Sequence, residues 1–552
     1  MNNLPREGVT ELTTPWLDPK PPVTDVNPLD PAEREAVVDI PEQRVVAVID
    51  IGATSIRMTV AEISRGGGVR TLDTLVQAVD LGRESFGNRR ISRATIERSA
   101  SILRRYKRVL REYGILSPAS IRVVATSAIR EATNRLAFTD RVFIATGLNV
   151  EIIDEAEVNR ITYMGIYPNL ERDPSLHMSR CVVVEVGGGS TELLVMREGE
   201  MILSDTFRLG ALRLVEMLQS ATSTTARRRA LMEHQIGRIL DRISETLEPD
   251  SDTRLIAIGG DIRFAARQIV GHWDADAFAE LPTEALVKLT NDVLRLDSDG
   301  IVKKYGTSYI EAETLGPALL TYQKLAQHFE LSTVLVSNTN LRDGLLHDMA
   351  IGGSWTSAFR NLIVRSAIAL GRKCDFDEPH ALQTAWLASE LFSQLNREHR
   401  LSERFEVILH VAAILYQIGL FVNLRSSHKH AMYLIRNSEL FGLSRHDLLL
   451  VGLVARYHRR SSPQPTHEGF ASLPREDRVV VSKLAALLRV AIALDETRSG
   501  RVRQFRCVRE GKRLVIELPG SEDNSMEQLA LRQNGSLFEE VYGIPVMLRS
   551  KV

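Results

Sequence analysis

A run of three glycines followed by two hydroxyl residues is the most chemically informative segment of this sequence, VVVEVGGGSTELLV (182–195). Glycines lack Cβ atoms, so their backbone N–H groups can converge on one place where the chain bends. Such a concave row of donors forms a site for phosphate, and hydroxyl groups add further donors. A plain glycine hairpin between two core strands is the alternative. The candidate phosphate ligands are Gly187, Gly188, Gly189, Ser190 and Thr191.

Two carboxylates bracket this turn, Glu185 before it and Glu192 after it. They are placed to hold a divalent cation that bridges phosphate oxygens. Mg²⁺ suits such a site, because it prefers a few carboxylates together with water and phosphate.

A second turn of similar design lies about 135 residues earlier, in AVIDIGATSIRMTV (47–60). Asp50 ends a strand, Gly52 bends the chain, and Thr54 and Ser55 supply hydroxyls. Alone this pattern is common, but two such turns in one chain predict a cleft in which both bind one phosphate chain. A third segment, AIGGDIR (257–263), fits either a glycine pair near a bound nucleotide or an ordinary strand-to-helix turn.

The elements around these turns alternate between strands and helices, and each half opens with strand, acidic residue, glycine turn and strand. This pattern predicts an internal duplication. The later part of the chain shows continuous helical periodicity and then short strands. The predicted divisions are a proline-rich disordered arm (1–43), two α/β halves (44–168 and 169–355), a helical domain (356–500) and a small α+β domain (501–552).

Composition narrows the function classes. A chain of 552 residues with 44% hydrophobic and 25% charged residues can bury several cores. The formal net charge of -1 argues against nucleic-acid and membrane partners. The 3 cysteines are far apart, which favours a reducing, cytoplasmic location. No signal core is expected at the N-terminus, and no apolar run is expected to reach the roughly 18–20 residues that span a bilayer.

Taken together, these motifs resemble the exopolyphosphatase/guanosine pentaphosphate phosphohydrolase (Ppx/GppA) family. The two turns look like its phosphate motifs, and further segments resemble its arginine segment, its glutamate helix, its helical domain and its tail. The resemblance implies an actin-like (ribonuclease H-like) two-lobed ATPase-type fold, then an all-α HD-like domain and a small α+β tail domain. It also implies hydrolysis of phosphoric anhydrides with Mg²⁺, and often a homodimer. The segments are ATSAIREATN (125–134), EIIDEAEVNRITYMG (151–165), SSHKHAMYLI (426–435), ARYHRR (455–460) and SLFEEVYGIPV (536–546).

The resemblance also implies roles for single residues. Asp50 and Glu192 are expected to hold metal or position water, together with Glu185, which stands where the family usually has aspartate. Arg130 is expected to contact a phosphate, which a guanidinium can bind through two hydrogen bonds.

One departure from the family concerns the general base. The family's second glutamate in a Glu-Glu-Ala-Arg segment corresponds to Val158 here, and only the preceding Glu157 survives. Adjacent helix positions differ by about 100° in direction. Glu157 is therefore the candidate base only if the helix shifts, with Glu155 as a second possibility.

The helical domain departs too. HD-type hydrolases bind metal through a histidine, a His-Asp pair and a distant aspartate, but the middle pair here reads Tyr416-Gln417, between His380 and Asp495. A metal centre is not expected there. The same domain carries a basic cluster that could guide a polyanion, although a solvated set of helix ends is the alternative. The cluster comprises Arg425, His428, Lys429, His430, Arg456, His458 and Arg459.

Three functions are compatible with these observations. The first is a Mg²⁺-dependent hydrolase that releases terminal phosphate from inorganic polyphosphate or guanosine pentaphosphate. The second is a non-catalytic sensor that binds polyphosphate or an alarmone such as guanosine tetraphosphate, which Val158 favours. The third is an actin-like kinase or ATPase, which would need an adenosine site near Gly259 and Gly260.

Overall fold

The computed structural model of the protein describes residues 43–198, 200–219, 225–247, 250–274, 277–351, 357–438, 440–459, 461–519 and 524–551. The chain forms two compact units, an N-terminal one that ends at Gly353 and a C-terminal one that begins at Ser354. The predicted N-terminal arm lies outside the described residues except for Gln43, which begins the first strand.

The first sheet of the N-terminal unit belongs to lobe I. Its strands are β1 (Gln43–Ile51), β2 (Ser55–Ser64), β3 (Val69–Ala78), β4 (Ile121–Ala125) and β5 (Glu151–Ile152). They lie in the order β3-β2-β1-β4-β5, with β1 to β3 antiparallel and β4 and β5 parallel to β1. The predicted hairpin of two strands is therefore a three-stranded meander. Val46 to Ile49 are fully buried, as expected for a central strand covered on both faces.

Helices flank this sheet. They are α1 (Leu81–Asn88), α2 (Arg93–Glu112), α3 (Ser127–Arg130), α4 (Arg135–Thr146) and α5 (Glu155–Glu171). The short helix α6 (Pro174–Met178) follows and packs against the first strand of the second sheet. Ser92 caps α2 by accepting a hydrogen bond from the Thr95 backbone, and the apolar stripe of α2 from Ile96 to Leu110 faces the core. Asp154 caps α5 in the same way, so the glutamate helix begins next to the end of β5.

The second sheet forms lobe II. Its strands are β6 (Arg180–Val186), β7 (Thr191–Arg197), β8 (Glu200–Phe207), β9 (Thr253–Ile258), β10 (Ala279–Pro282) and β11 (Thr333–Val336). The order is β10-β11-β9-β6-β7-β8, so the meander β6 to β8 with the parallel β9 repeats the arrangement of β1 to β4. This topology confirms the predicted internal duplication.

The helices that follow β8 cover this sheet, except for the last one. They are α7 (Ala211–Gln219), α8 (Thr225–Thr246), α9 (Gly260–Ile269), α10 (Thr283–Leu294), α11 (Ser298–Tyr305), α12 (Tyr309–His328) and α13 (Leu341–Ala350). Helix α13 returns to lobe I, where Leu341, Leu345 and Leu346 share a core cluster with Val46 and Ile161. The predicted range of lobe II, 169–355, therefore includes a helix that packs with lobe I.

The C-terminal unit is helical up to residue 494. Its helices are α14 (Ser357–Lys373), α15 (Glu378–Gln394), α16 (Asn396–His399), α17 (Arg404–Leu415), α18 (Ser427–Arg436), α19 (Arg445–Arg456) and α20 (Arg475–Leu494). The segment Arg404–Phe421 has a mean hydropathy of 1.4 over 18 residues, which corrects the expectation that no run is long and apolar enough to cross a membrane. Since 67% of this window is buried inside the protein, the segment is a core helix by packing.

A three-stranded sheet completes the C-terminal unit. It consists of β12 (Arg506–Glu510), β13 (Arg513–Pro519) and β14 (Val546–Lys551), with α21 (Ser525–Asn534) and α22 (Ser536–Tyr542) between the last two strands. The sequence predicted one helix here. The chain has two because the first ends at Asn534 and the second begins at Ser536, around Gly535.

Candidate active site

The turn between β1 and β2 is closed by one backbone hydrogen bond, from Gly52 N–H to the Ser55 carbonyl at 3.0 Å. Asp50 is the last but one residue of β1 and lies directly opposite Arg57 of β2 in the antiparallel register. The carbonyls of Ala53 and Thr54 accept hydrogen bonds from Gly82 and Val79, which fixes the outer side of the turn.

The turn between β6 and β7 repeats this design. Gly187 N–H donates to the Ser190 carbonyl at 2.9 Å, and Glu185 lies opposite Glu192 in the strand register. The carbonyl groups of Gly187 and Gly188 accept hydrogen bonds from the first turn of α7. Since these carbonyls are occupied on the α7 side, the opposite side of the turn is left for a ligand.

The two turns meet. A Cβ atom built on Gly188 would come within 2.9 Å of the Ala53 Cβ, so only glycine allows this approach. A Cβ atom on Gly189 would collide with the ring of Phe86 and with Ser127 Oγ. Glycines in the second turn therefore let it pack against elements of lobe I, and a cleft opens beside the contact.

This cleft has a volume of about 680 Å³ and is lined from both lobes. Nine of the twelve residues predicted for catalysis, phosphate binding or metal binding lie on its wall. They are Asp50, Thr54, Ser55, Arg130, Glu185, Gly187, Gly188, Ser190 and Glu192, joined by Val158 and by Gly259, Gly260 and Asp261 of the third glycine segment. The structure thus brings the two predicted turns and the third segment to one cavity.

Two carboxylates of the cleft, Asp50 and Glu192, are buried, while Glu185 and Asp261 are partly buried. Burial and the nearby Glu185 raise the pKa of Glu192 to about 7, against the opposing effects of the Ser190 hydrogen bond and the Arg130 charge. Burial raises the pKa of Asp261 to about 6 and also raises that of Asp50. Taking charged carboxylates out of water is costly, so this wall favours a ligand or ion that supplies compensating charge.

Four arginines that the sequence analysis did not single out also line the cleft, Arg57, Arg263, Arg267 and Arg342. Arg342 of α13 lies 3.7 Å from Asp50 and donates to Thr59 Oγ1 at 3.0 Å, while Arg263 of α9 donates to the Thr339 carbonyl. Arg57 makes no ion pair with any residue that the structure describes. The alternation of β2, which puts Arg57 on the cleft face, is the signal that could have identified it.

The predicted magnesium ligands could supply only part of the coordination shell of the ion. Among the described residues, no three His, Cys, Asp or Glu side chains are grouped closely enough to hold a metal ion by themselves, so the three-carboxylate magnesium site stays a prediction. However, Asp50 Oδ1 is buried and has no hydrogen-bond partner in the described part of the chain. Mg²⁺ commonly takes one or two carboxylates and completes its shell with water and substrate phosphate, which this arrangement allows.

Glu157 lies outside the cleft lining, so it is not placed to act as the catalytic base without the helix shift that its prediction required. Its carboxylate accepts hydrogen bonds from Arg160 at 2.7 Å and from Arg122 at 3.1 Å. Both arginines also bind Asp348 of α13. Glu157 is thus held in an ion network that fixes α5 to α13, while Val158 presents its apolar side chain to the cleft. Glu155 pairs with Arg130 at 3.5 Å.

Two further predicted phosphate ligands have structural partners instead. The Thr191 hydroxyl donates to the Leu209 carbonyl and is buried. Gly189 packs against Phe86 and is not part of the cleft wall. The reason is the strand alternation after the turn, which directs Ser190 and Glu192 towards the cleft and Thr191 away from it.

In the C-terminal unit, His380 forms a buried network. Its Nδ1 lies 2.7 Å from Asp495 Oδ2 and its Nε2 lies 2.7 Å from the Tyr416 hydroxyl. Gln417 donates to the same hydroxyl at 2.9 Å. Tyr416 therefore satisfies the histidine nitrogen that a metal would otherwise take in the HD arrangement.

The predicted basic cluster gathers around α18 and the end of α19. Burial lowers the pKa of His428, and so do the positive charges of Arg459, Lys429, Arg456 and His430, which shows that these groups are neighbours. Arg425 is exposed just before α18. His458 is half-buried at the end of α19, where its Nδ1 contacts the Ala455 carbonyl and burial lowers its pKa to about 3, so it is the member of the cluster least suited to carry positive charge.

Comparisons with known proteins agree with this architecture. Residues 59–351 match the Ppx/GppA phosphatase family and residues 363–536 match domain III of the Ppx/GppA phosphatases. The guanosine-5'-triphosphate,3'-diphosphate pyrophosphatase of Aeromonas hydrophila is 25% identical over 484 residues, covering 86% of this chain and 92% of its own length. The protein of the same name from Vibrio parahaemolyticus is 24% identical over the same length.

A solved structure shows the same fold. The crystal structure of an exopolyphosphatase from Cytophaga hutchinsonii aligns with a TM-score of 0.51 at 19% identity, covering 56% of this chain and 98% of that chain. The predicted actin-like two-lobed fold followed by a helical domain is therefore confirmed.

Proposed function

Because the chain belongs to the Ppx/GppA phosphatase family, whose members hydrolyse phosphoric anhydrides, we propose that it is a Mg²⁺-dependent hydrolase that removes the terminal phosphate of a phosphoanhydride bound in the cleft. The observation that carries this proposal is the convergence of two matching turns, each closed by the same hydrogen bond, on one cavity. The relatives named above make guanosine pentaphosphate the first substrate to test, and inorganic polyphosphate the second.

Each part of the cleft has a role in this proposal. The backbone N–H groups of Gly187 and Gly188 and the hydroxyls of Thr54 and Ser55 hold the terminal phosphoryl group. Arg130 stabilises the charge that develops on it during transfer. Asp50 and Glu185 are the residues that would hold Mg²⁺, which when bound neutralises charge on the phosphate oxygens.

The attacking water needs a proton acceptor, and Val158 cannot serve. Among the cleft carboxylates we assign this role to Glu192, because Ser190 Oγ donates to its Oε1 at 2.5 Å and so fixes its orientation. A base whose pKa lies near the working pH is substantially deprotonated and still has enough proton affinity to take a proton from water. Loss of a positioned general base typically costs about 10²–10⁴-fold in rate, so slow turnover is expected from this substituted arrangement.

A second candidate function rests on the same valine. The cleft then binds polyphosphate or guanosine tetraphosphate or pentaphosphate without turnover, and the protein acts as a sensor. Val158 on the cleft wall and Glu157 in the ion network are the observations that favour it.

A phosphate-release assay separates the two functions. The full chain is incubated with Mg²⁺ and guanosine pentaphosphate, tripolyphosphate or long-chain polyphosphate, and orthophosphate is measured beside calorimetric binding. Release that disappears in Arg130→Ala and Glu192→Gln supports the hydrolase. Binding without release from any of the three substrates supports the sensor, and the absence of both contradicts the assignment of the cleft.

A further inference from the structure

A groove on the outer face of lobe I, between α2 and the end of α4, carries a strong positive charge. It has a volume of about 580 Å³, and five of the eight residues that line it are basic. None of the eight is acidic or aromatic. The lining consists of Ser101, Arg104, Arg105, Lys107, Arg108, Arg111, Ala145 and Thr146.

Three arginines of this groove lie on one face of α2. Arg104, Arg108 and Arg111 are spaced by four and three residues, so they lie one above another on the solvent face of α2. All three are exposed, and their guanidinium groups make no hydrogen bond or ion pair with any residue that the structure describes. The row from Ser101 to Arg111 is about 15 Å long at 1.5 Å per residue.

The wall of the groove is fixed. Lys107 Nζ donates to the Thr146 carbonyl at the end of α4, and the opposite face of α2 is packed into the core of lobe I through Leu103 and Tyr106. The arginine row therefore stands on a rigid helix, while many surface arginines of this protein, such as Arg141 with Glu97, are paired with a carboxylate.

We infer that this groove is an accessory binding site for a linear polyphosphate chain, separate from the catalytic cleft. Guanidinium groups bind phosphate oxygens through paired hydrogen bonds, and a row of them one helical turn apart matches a ligand that carries charge at short, regular intervals. The choice of polyphosphate rests on the proposed phosphoanhydride chemistry, whereas the anion groove itself does not depend on it.

The observations favour polyphosphate over nucleic acid. Single-stranded nucleic acids are commonly bound by basic grooves with aromatic side chains on which bases stack, and the lining residues include none. The net charge of -1 also provides no broad positive field of the kind that draws a duplex to a protein. Polyphosphate has no bases, so the row of guanidinium groups is sufficient to bind it without aromatic side chains.

Charge reversal on the groove tests this inference in the full-length protein. The variant Arg104→Glu/Arg108→Glu/Arg111→Glu is compared with Arg238→Glu/Arg254→Glu/Arg295→Glu, which changes the net charge equally at exposed arginines of lobe II. Affinity for long-chain polyphosphate is measured by competition at several salt concentrations, and orthophosphate release from tripolyphosphate is measured in parallel. Circular dichroism and thermal melting verify that both variants fold.

The groove variant is expected to lose about ten-fold or more in affinity for long-chain polyphosphate. The magnitude of the slope of log K against log salt concentration is expected to decrease by about 2, since each phosphate contact contributes roughly 0.7–0.9 to that slope in nucleic-acid complexes. Tripolyphosphate release and the lobe II variant remain at the wild-type level. Unchanged affinity, or an equal loss in both variants, overturns the inference. So does single-stranded RNA binding that equals that of polyphosphate and is lost in the same variant. If the wild type releases no phosphate, the proposed hydrolase fails while the affinity comparison still decides the groove.

Discussion

Gly188 approaches Ala53 so closely that a Cβ atom on the glycine would lie 2.9 Å from the alanine Cβ. These residues belong to the two turns that line the cleft, one from each half of the duplicated unit. This approach is what the proposed binding of one phosphate by both turns requires.

Gly188→Val is therefore expected to push the turns apart and to weaken binding of guanosine pentaphosphate or tripolyphosphate by about ten-fold or more, a loss of at least about 1.4 kcal/mol. The measurement is calorimetric titration of the full chain. Gly260→Ala is the matched control, since it lies on the same cleft and a Cβ there meets nothing within 4 Å. Equal affinities for Gly188→Val and wild type would show that the contact does not shape the site.

The features of this site that could be predicted from the sequence are those formed by residues close together in the chain. The turns were predictable because glycine, hydroxyl and carboxylate residues follow buried strands within a few positions. Arg342 was not, because it reaches Asp50 only through α13, whose return to lobe I depends on packing among Leu341, Leu345 and Val46. No short sequence motif predicts that this helix packs with lobe I.

The sequence also did not predict which face of helix α5 is turned towards the cleft. Sequence spacing shows that Glu157 and Val158 point in different directions, but it does not say which one faces the cleft. Arg122 and Asp348 decide this, and they come from β4 and α13. Strand β3 was missed because its residues are half exposed and mixed in polarity, so it lacks the apolar run that marked β1.

Val158→Glu is predicted to raise kcat for phosphate release, by up to about 10²–10⁴-fold, because it restores a carboxylate to the cleft wall at the family's position. Steady-state release assays on the purified protein measure this. Glu157→Gln is the control and is expected to leave kcat unchanged, since its carboxylate lies in the ion network. A collapse of kcat in Glu157→Gln with an intact fold would restore Glu157 as the base.

Asp348→Asn is predicted to destabilise the N-terminal unit by about 1.5–3 kcal/mol, because it takes from buried Arg160 one of its two carboxylate partners and leaves only Glu157. Burial acts to raise the pKa of Asp348, but the hydrogen bonds and charges of Arg160 and Arg122 outweigh it and hold that pKa below its usual value. Urea denaturation measures the effect. Glu62→Gln removes an exposed pair with Arg70 and is expected to cost less than about 1 kcal/mol. Equal effects of the two substitutions would contradict this.

His410 is predicted to make the C-terminal unit less stable in mild acid. Burial lowers its pKa to about 4, against the opposing hydrogen bond to the Ala385 backbone, whereas an unfolded histidine titrates near 6.5. Between these values the unfolded chain binds the extra proton, so stability is complete above about pH 6.5 and falls as the pH drops towards 4.

Calorimetric melting of the full chain across this range tests the effect. His410→Gln is expected to reduce the pH dependence of the transition of the C-terminal unit, to which His458 also contributes. His446→Gln, at a half-exposed histidine, is expected to leave it steep. An unaltered slope in His410→Gln would exclude this histidine as the source.

The most direct test of the central claim is a crystal structure of the full chain with Mg²⁺ and tripolyphosphate. The account predicts that the terminal phosphate lies within hydrogen-bond distance of the Gly187 or Gly188 N–H groups, of the Thr54 or Ser55 hydroxyls, and of Arg130. A terminal phosphate that contacts one turn alone, or an anion bound away from this cleft, would contradict it.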